Sequence, residues 1–167
     1  MKNSTIISIL ILFLATSCSY EPGISEAFTK YRFKDGVTTI SIPGWVINVA
    51  AGFGDLDESE REILDSIDKV RVMSIEKDDL NAHIDLHKEF YEKINKNNNY
   101  EELLVVRDDS ESVTVFGRIE DSVIKEMVVL VGGDDNALIY VKGEIKPELI
   151  SNKVNFSDPE KFLSLNF

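Results

Sequence analysis

The chain has 167 residues, of which 30 are acidic and 18 basic, so its formal net charge is −12 at pH 7. Such an acidic balance argues against nucleic acid as a partner, and against an anionic membrane bound through basic patches, because like charges repel. A single cysteine excludes an intramolecular disulfide, so the fold depends on its hydrophobic core, and the length suits one domain.

An apolar segment at residues 6–15 dominates the start of the chain and ends in the small residues Thr16 and Ser17, which precede Cys18. At about 1.5 Å per residue, a helix of this length covers only half of the ~30 Å hydrocarbon core of a membrane. The segment is therefore typical of a signal peptide rather than of a membrane span. Cys18 resembles the cysteine of a bacterial lipobox, which becomes the lipid attachment residue.

The cleavage signal is open to a second interpretation. A lipobox usually has leucine three places before the cysteine, whereas this chain has Ala15 there and Leu14 one residue earlier. Ala15 and Ser17 also form a small-x-small pattern that an ordinary signal peptidase accepts, which would release a secreted protein with a free thiol. A lone exposed thiol is unfavourable in an oxidising compartment, and this favours the lipoprotein.

The lipoprotein interpretation divides the chain into three parts. Residues 1–17 are the signal peptide, residues 18–24 a tether, and residues 25–167 a single domain. We expect the protein in the cell envelope, at the outer membrane and facing the periplasm. The cell surface is the alternative, because some lipoproteins use acidic residues after the cysteine for surface export and Glu21 lies there.

The first part of the domain mixes helices and strands. The β-branched run Val37–Ile42 predicts a strand that Pro43 ends, and a short helix capped by Ser25 is expected before it. Apolar residues spaced at three and four predict a further helix over Gly44–Phe53. We expect Trp45 of this helix to pack in the core, with a membrane-interface or ligand contact as the alternative.

Two more elements precede the longest predicted helix. Asp57 and Glu60 have capping-box spacing and predict a helix start. The alternating run Lys69–Ile75 predicts an interior strand. Apolar residues at helical spacing then predict a helix from roughly Leu80 to Asn95.

His83 and His87 lie four residues apart on that predicted helix, which is the spacing of two zinc ligands in metalloproteases. The metalloprotease pattern has a glutamate directly after the first histidine, where this chain has Ile84, and the chain has no third histidine. We therefore expect no metal site, with His87 half-buried on the apolar face and His83 exposed. An aspartate or glutamate could complete a zinc site, so that alternative stays open.

Four apolar or β-branched runs, separated by short polar connections, predict four strands in the last third of the domain. These runs are Tyr100–Arg107, Ser112–Ile119, Val123–Val131 and Ala137–Ile145. Strands that are apolar on both faces must be central or covered on both, and helices would supply one cover. The predicted fold class is α+β, with a largely antiparallel sheet, a C-terminal four-strand meander, and three to four helices packed on the sheet.

The order of these pieces from about Ser25 to Ile150 resembles a family of bacterial lipoproteins called domain of unknown function 4252. The segments that carry the resemblance are Val37–Pro43, Ile67–Met73, Phe90–Tyr91, Asn99–Leu103, Ile124–Leu130 and Ile139–Ile145, after the signal and Cys18. The resemblance implies a cell-envelope location and an α+β fold. The family has no established activity, so it implies no catalytic residue and no mechanism.

We therefore expect a lipid-anchored cell-envelope protein with a binding or scaffolding role, without a cofactor or an identifiable catalytic activity. Its partners would be the membrane, through acylated Cys18, and another envelope protein. The alternative is an envelope hydrolase or metal-dependent enzyme whose site assembles from distant acids and the His83/His87 pair. An enzyme needs a concave pocket with converging polar groups, whereas an interaction module exposes an apolar patch or a strand edge.

Overall fold

The computed structural model describes residues 23–151, which form six helices and six strands. In chain order these are α1 (Ile24–Tyr31), β1 (Val37–Pro43), α2 (Gly44–Ala51), α3 (Glu58–Asp65), β2 (Ile67–Ile75), α4 (Asp78–Asn81), α5 (Leu86–Asn95), β3 (Glu101–Arg107), β4 (Glu111–Glu120), β5 (Val123–Gly133), β6 (Ala137–Ile145) and α6 (Pro147–Ser151). The predicted signal peptide, Cys18 and the end of the predicted domain lie outside the described residues.

All six strands belong to one antiparallel sheet in the order β1-β2-β6-β5-β4-β3. Strands β3 to β6 form the predicted meander, because each short polar connection joins neighbours in the sheet. β2 lies between β1 and β6, so it is interior as expected. The α+β class and the antiparallel sheet are confirmed, but the described residues form six helices where three to four were predicted.

Helices α1 and α5 cover one face of the sheet. Their side chains and the sheet's inward side chains form the main core, which includes Phe28, Leu86, Phe90, Ile94, Met73, Phe116, Val128, Leu130 and Leu138. Burying each such side chain stabilises the fold by about 1.5–3 kcal/mol. The two helices run antiparallel and are joined by ion pairs from Lys30 to Glu89 (2.5 Å) and from Lys93 to Glu26 (2.6 Å).

The opposite face of the sheet is also apolar. Val113, Val115 and Val129 form one buried cluster on β4 and β5, and Ile124, Val141 and Ile145 form a second on β5 and β6. Ile150 of α6 packs against the second cluster. The prediction that interior strands carry apolar side chains on both faces is therefore confirmed, since first-face residues such as Val128 alternate with second-face residues such as Val129 along β5.

Local signals at the helix starts are partly confirmed. Asp57 and Glu60 form the predicted capping box of α3, in which the Asp57 carboxylate accepts from the Glu60 amide at 2.9 Å and the Glu60 carboxylate accepts from the Asp57 amide at 3.0 Å. The predicted cap at Ser25 is wrong. α1 begins at Ile24 with Gly23 as N-cap, because Ile24 is part of the buried face of the helix.

The core position expected for Trp45 is wrong, although α2 forms where it was predicted. Only Gly44 and Ala51 of this helix are buried, and 71% of Trp45 is exposed. α2 follows β1 at the edge of the sheet and packs against α3, β1 and β2, and within residues 23–151 no second layer covers Trp45. Hydrophobic spacing fixes the type of element but leaves open which surface covers it.

The predicted helix from Leu80 to Asn95 is also wrong as one element, because it divides into α4 and α5. Asp85 caps α5 by accepting from the Lys88 amide at 2.8 Å. Asn136, which precedes β6, holds the break: its side-chain oxygen accepts from the Leu86 amide at 2.6 Å and its side-chain nitrogen donates to the Ile84 carbonyl at 2.8 Å. We call these two bonds the Asn136 clamp.

We predict that Asn136→Ala lowers the free energy of unfolding by roughly 2–4 kcal/mol, because each buried backbone group left without a partner costs about 1–3 kcal/mol. Chemical denaturation followed by circular dichroism measures this change. The control is Asn98→Ala, since Asn98 is exposed, and it should stay within about 0.5 kcal/mol of wild type. Equal effects of the two substitutions would contradict a structural role for the clamp.

Candidate functional site

A cleft of about 510 Å³ opens where α4, α5 and the β5–β6 connection meet. The Asn136 clamp creates it, because the break after α4 turns the chain away from α5 at this end of the sheet. Its lining residues are Asn81, Ala82, His83, Ile84, Asp85, Lys88, Glu89, Gly133 and Asp134. The cleft brings polar groups together on a concave surface, which is the feature expected of an enzyme.

Two carboxylates of the cleft already have structural partners. Asp85 accepts from the Lys88 amide as the cap of α5, and Glu89 binds Lys30 at 2.5 Å and accepts from the Tyr31 hydroxyl at 2.5 Å. The Lys30 and Tyr31 bonds act to lower the pKa of Glu89, whereas its burial acts to raise it, and the net shift is downward. A carboxyl held ionised in this way is poorly suited to act as a general acid near neutral pH.

His87 is only 7% exposed and belongs to the core rather than to the cleft. Its ring stacks on Tyr91 with centroids 5.1 Å apart, and its Nε2 shares a hydrogen bond of 2.8 Å with the Thr114 hydroxyl of β4. Burial lowers the pKa of His87, because the charged imidazolium would lose its hydration. His87 is therefore neutral in the folded protein at neutral pH.

The structure does not bring the two histidines to one site. His83 is exposed in the turn after α4 and lines the cleft, whereas His87 points into the sheet from α5. The expected exposure of His83 is confirmed, and His87 is buried more deeply than expected. Within residues 23–151 no group of three or more histidine, cysteine, aspartate or glutamate side chains is placed to hold a metal ion.

A close approach between α5 and β5 fixes the position of His87. A Cβ atom at Gly132 would clash with the Asp85 carboxylate and would lie 2.6 Å from the Cβ atom of His87. Only glycine lets the start of α5 lie this close to β5. The sequence pattern gives no signal for this contact, because Asp85 and His87 lie far from Gly132 in the chain.

A second buried polar group lies at the other end of the sheet. Glu126 of β5 is buried, accepts from the Tyr100 hydroxyl at 2.5 Å and pairs with the Arg118 guanidinium at 2.5 Å. A buried carboxylate is tolerated when it is paired and hydrogen-bonded in this way. Glu126 therefore holds β3, β4 and β5 together, and its known contacts are structural.

Exposed apolar residues follow one another along α2 and into the turn after its last residue, Ala51. Trp45, Val49 and Phe53 follow one another at four-residue spacing, and 71%, 56% and 90% of these residues are exposed. We call them the α2 stripe. Residues 44–54 contain no charged side chain, although 29% of the chain is charged. The stripe fits the exposed apolar patch expected of an interaction module.

These features define a class of protein, namely an α+β domain with a six-stranded antiparallel sheet, two helices on one sheet face and an exposed apolar helix at one edge. A family model described as Domain of unknown function (DUF4252) matches residues 31–152, which is more than half of the chain. The chain belongs to this family, as the resemblance of its ordered segments indicated. Comparison with curated proteins and with solved structures gave no match.

The lipid attachment predicted at Cys18 lies outside the described residues. None of the helices between residues 23 and 151 is long and apolar enough to cross a membrane.

We predict that the free energy of unfolding falls as the pH drops below about 6.5, the usual pKa of histidine. Because burial lowers the pKa of His87 in the folded protein, the unfolded chain binds this proton at a higher pH than the folded chain. The stabilisation is therefore fully present above pH 6.5 and is lost towards acid. Urea titrations between pH 7.5 and 5.5 measure this dependence.

The variant His87→Gln, which can still bond to Thr114, should have a smaller pH dependence than wild type over this range. His83→Gln is the matched control, since His83 is exposed and does not touch this contact. A pH dependence that disappears in His83→Gln and survives in His87→Gln would contradict the assignment to His87.

Proposed function

We propose that the protein is a lipid-anchored cell-envelope protein, attached to the membrane through acylated Cys18, whose domain binds or scaffolds a partner. The observation that carries the proposal is the place of the chain's only cysteine, directly after a short apolar segment and two small residues. Membership of the DUF4252 family is consistent with this proposal and supplies no activity of its own. The outer membrane, on its periplasmic side, is the proposed location.

Two features of the domain support binding rather than catalysis. The polar groups with unusual surroundings, namely His87, Glu126 and Glu89, have internal structural partners. In contrast, the α2 stripe exposes two large aromatic side chains, which is a costly arrangement unless something covers them. An exposed apolar surface on a helix and the turn that follows it is suited to recognition by contact.

The second candidate is a hydrolase or metal-dependent enzyme, and the cleft beside His83 is the observation that favours it. His83 and Asp134 line the cleft, but Asp85 and Glu89 are engaged in capping and in ion pairing. His87 lies behind the cleft, bonded to Thr114, so the two histidines would have to act separately. The geometry therefore supports this candidate less well than binding.

The anchor is tested by intact mass and membrane fractionation of the exported protein. We expect wild type to carry acyl mass and to fractionate with membranes, and Cys18→Ala to lose both, because the thiol is the only acylation site of this kind. Ser19→Ala is the matched control and should behave as wild type. A soluble wild type with a free Cys18 thiol would instead support release by an ordinary signal peptidase.

The enzyme candidate is tested by calorimetric titration of the purified protein with zinc. We expect wild type and the double variant His83→Ala/His87→Gln to give the same heat, because the described residues lack a three-ligand cluster. A saturable heat that is present in wild type and lost in the double variant would favour the metal-dependent enzyme.

A further inference from the structure

We infer that the α2 stripe contacts the surface of the bilayer that holds the lipid anchor, inserting Trp45 and Phe53 into the interface of a zwitterionic phospholipid layer. This inference rests on the proposed function, since it needs the anchor at Cys18. The α2 stripe would then be the surface of the domain that faces the membrane, in contact with zwitterionic phospholipid.

The α2 stripe lies at the end of the sheet where the chain enters the domain. Gly23 lies against the end of α5, where its added Cβ atom would be 2.9 Å from Ile94. α5 begins beside Gly132 near the end of β5, whereas β3, the strand that follows α5, begins at Glu101, which pairs with Gly117 of β4 opposite Met127 of β5. The last turn of α5 therefore lies towards the end of the sheet where β5 begins. The chain therefore enters the domain at the end of the sheet where β5 begins.

α2 lies at this same end. β5 begins there, Ile124 of β5 pairs with Ile145 at the end of β6, and Ile67 at the start of β2 pairs with Gly143 of β6. Pro43 at the end of β1 pairs with Lys69 of β2, and α2 follows directly. The entry of the chain and the start of α2 thus share one end of the sheet.

The tether between the proposed anchor and the domain is short. Residues 18–22 separate the anchor from Gly23. Even when fully extended, five residues reach only about 18 Å. The end of the sheet that contains α2 is therefore held near the lipid surface, and a helix of eight residues is only about 12 Å long. A contact that would be weak in free solution becomes effectively intramolecular under this constraint.

The side chains of the stripe are chemically suited to a membrane interface. Tryptophan and phenylalanine combine a large apolar surface with rings that are suited to the membrane–water boundary. Residues 44–54 carry no charge, so their insertion desolvates no ion. The segment that follows is acidic, with Asp55, Asp57, Glu58 and Glu60, and the net charge of the chain is −12. Such a surface would be repelled by anionic lipids, which is why the inferred partner is zwitterionic.

The chain offers a matched control at the opposite end of the sheet. Phe33 is 84% exposed, and it lies in the loop that leads to Val37, whose partner is Ile75 at the far end of β2. An exposed phenylalanine in this place has the same hydrophobicity as Phe53 but is held away from the anchor. A comparison of Phe33 with Phe53 therefore separates the effect of a phenylalanine's position from the effect of its hydrophobicity.

The test uses the fluorescence of Trp45, the only tryptophan of the chain. The exported protein is purified from membranes and reconstituted into phosphatidylcholine vesicles with or without brominated acyl chains. We expect brominated lipid to remove roughly half of the Trp45 emission, because the bromines quench at contact range and aromatic rings at the interface reach the upper acyl chains. Soluble Cys18→Ala protein with the same vesicles gives the unanchored baseline.

The substitutions Val49→Ser and Phe53→Ser together should remove roughly two-thirds of this quenching, since they delete two of the three apolar side chains. Phe33→Ser should leave it unchanged. Circular dichroism of each variant shows whether it has kept the fold, and the three residues are sufficiently exposed that serine creates no cavity.

Intact mass of the same preparation separates the two possible failures. Acylated protein whose Trp45 is quenched no more than the baseline would overturn the membrane contact and leave the anchor standing. Unacylated protein would overturn the anchor, and the inference with it. Trp45 that is shielded from aqueous iodide in native membranes, yet unquenched by brominated vesicles, would assign the stripe to a protein partner and would also overturn the inference.

Discussion

The arrangement of the described domain depends on the Asn136 clamp, in which one side chain satisfies two backbone groups that a continuous helix would have paired internally. A break between two helices leaves amides and carbonyls without intrahelical partners, and a buried break needs a substitute for them. Asn136 is such a substitute, because its amide carries both an acceptor and a donor. It also bonds the break to the β5–β6 hairpin, so helix and sheet are positioned by the same residue.

The Asn136 clamp separates His83 and His87, which lie only four residues apart in the sequence. On one continuous helix, His83 and His87 would share a face, whereas the break sends His83 into solvent and leaves His87 at the start of α5. The close approach at Gly132 then directs His87 onto Thr114. The consequence is that one histidine lines a cleft and the other stabilises the core as a neutral hydrogen-bonding group.

Much of the fold could be predicted from local pattern. The strand runs from Val37, Lys69, Tyr100, Ser112, Val123 and Ala137 all correspond to observed strands, because alternation and β-branched residues report directly on a pleated surface. The capping box of Asp57 and Glu60 could also be predicted, because both residues lie within one helical turn. The order of β3 to β6 could be predicted from their short polar connections, which favour antiparallel neighbours, whereas the places of β1 and β2 in the sheet could not.

The errors have a common physical origin, which is that the deciding contact lies far away in sequence. The break after α4 depends on Asn136, about fifty residues later, and helical periodicity continues across it without a signal. The exposure of Trp45 depends on what packs over α2 in the described part of the chain, and no residue near Trp45 encodes this. Amphipathic spacing predicts that a helix has an apolar side, but the same spacing suits a core, a partner or a membrane interface.

This difference between the interior and the surface bears on what the domain does. Buried polar side chains such as His87 and Glu126 join elements of the fold. These hydrogen bonds explain why the two side chains are tolerated in the interior. The α2 stripe is different, because its exposure lowers stability and solubility, and no contact within the described domain offsets this effect. An exposed apolar surface that lowers the stability of the folded domain is best explained by a bound state in which that surface is covered. With the proposed anchor at Cys18, the short tether would hold α2 near the lipid surface, so the bilayer is the cover that the proposed function itself supplies.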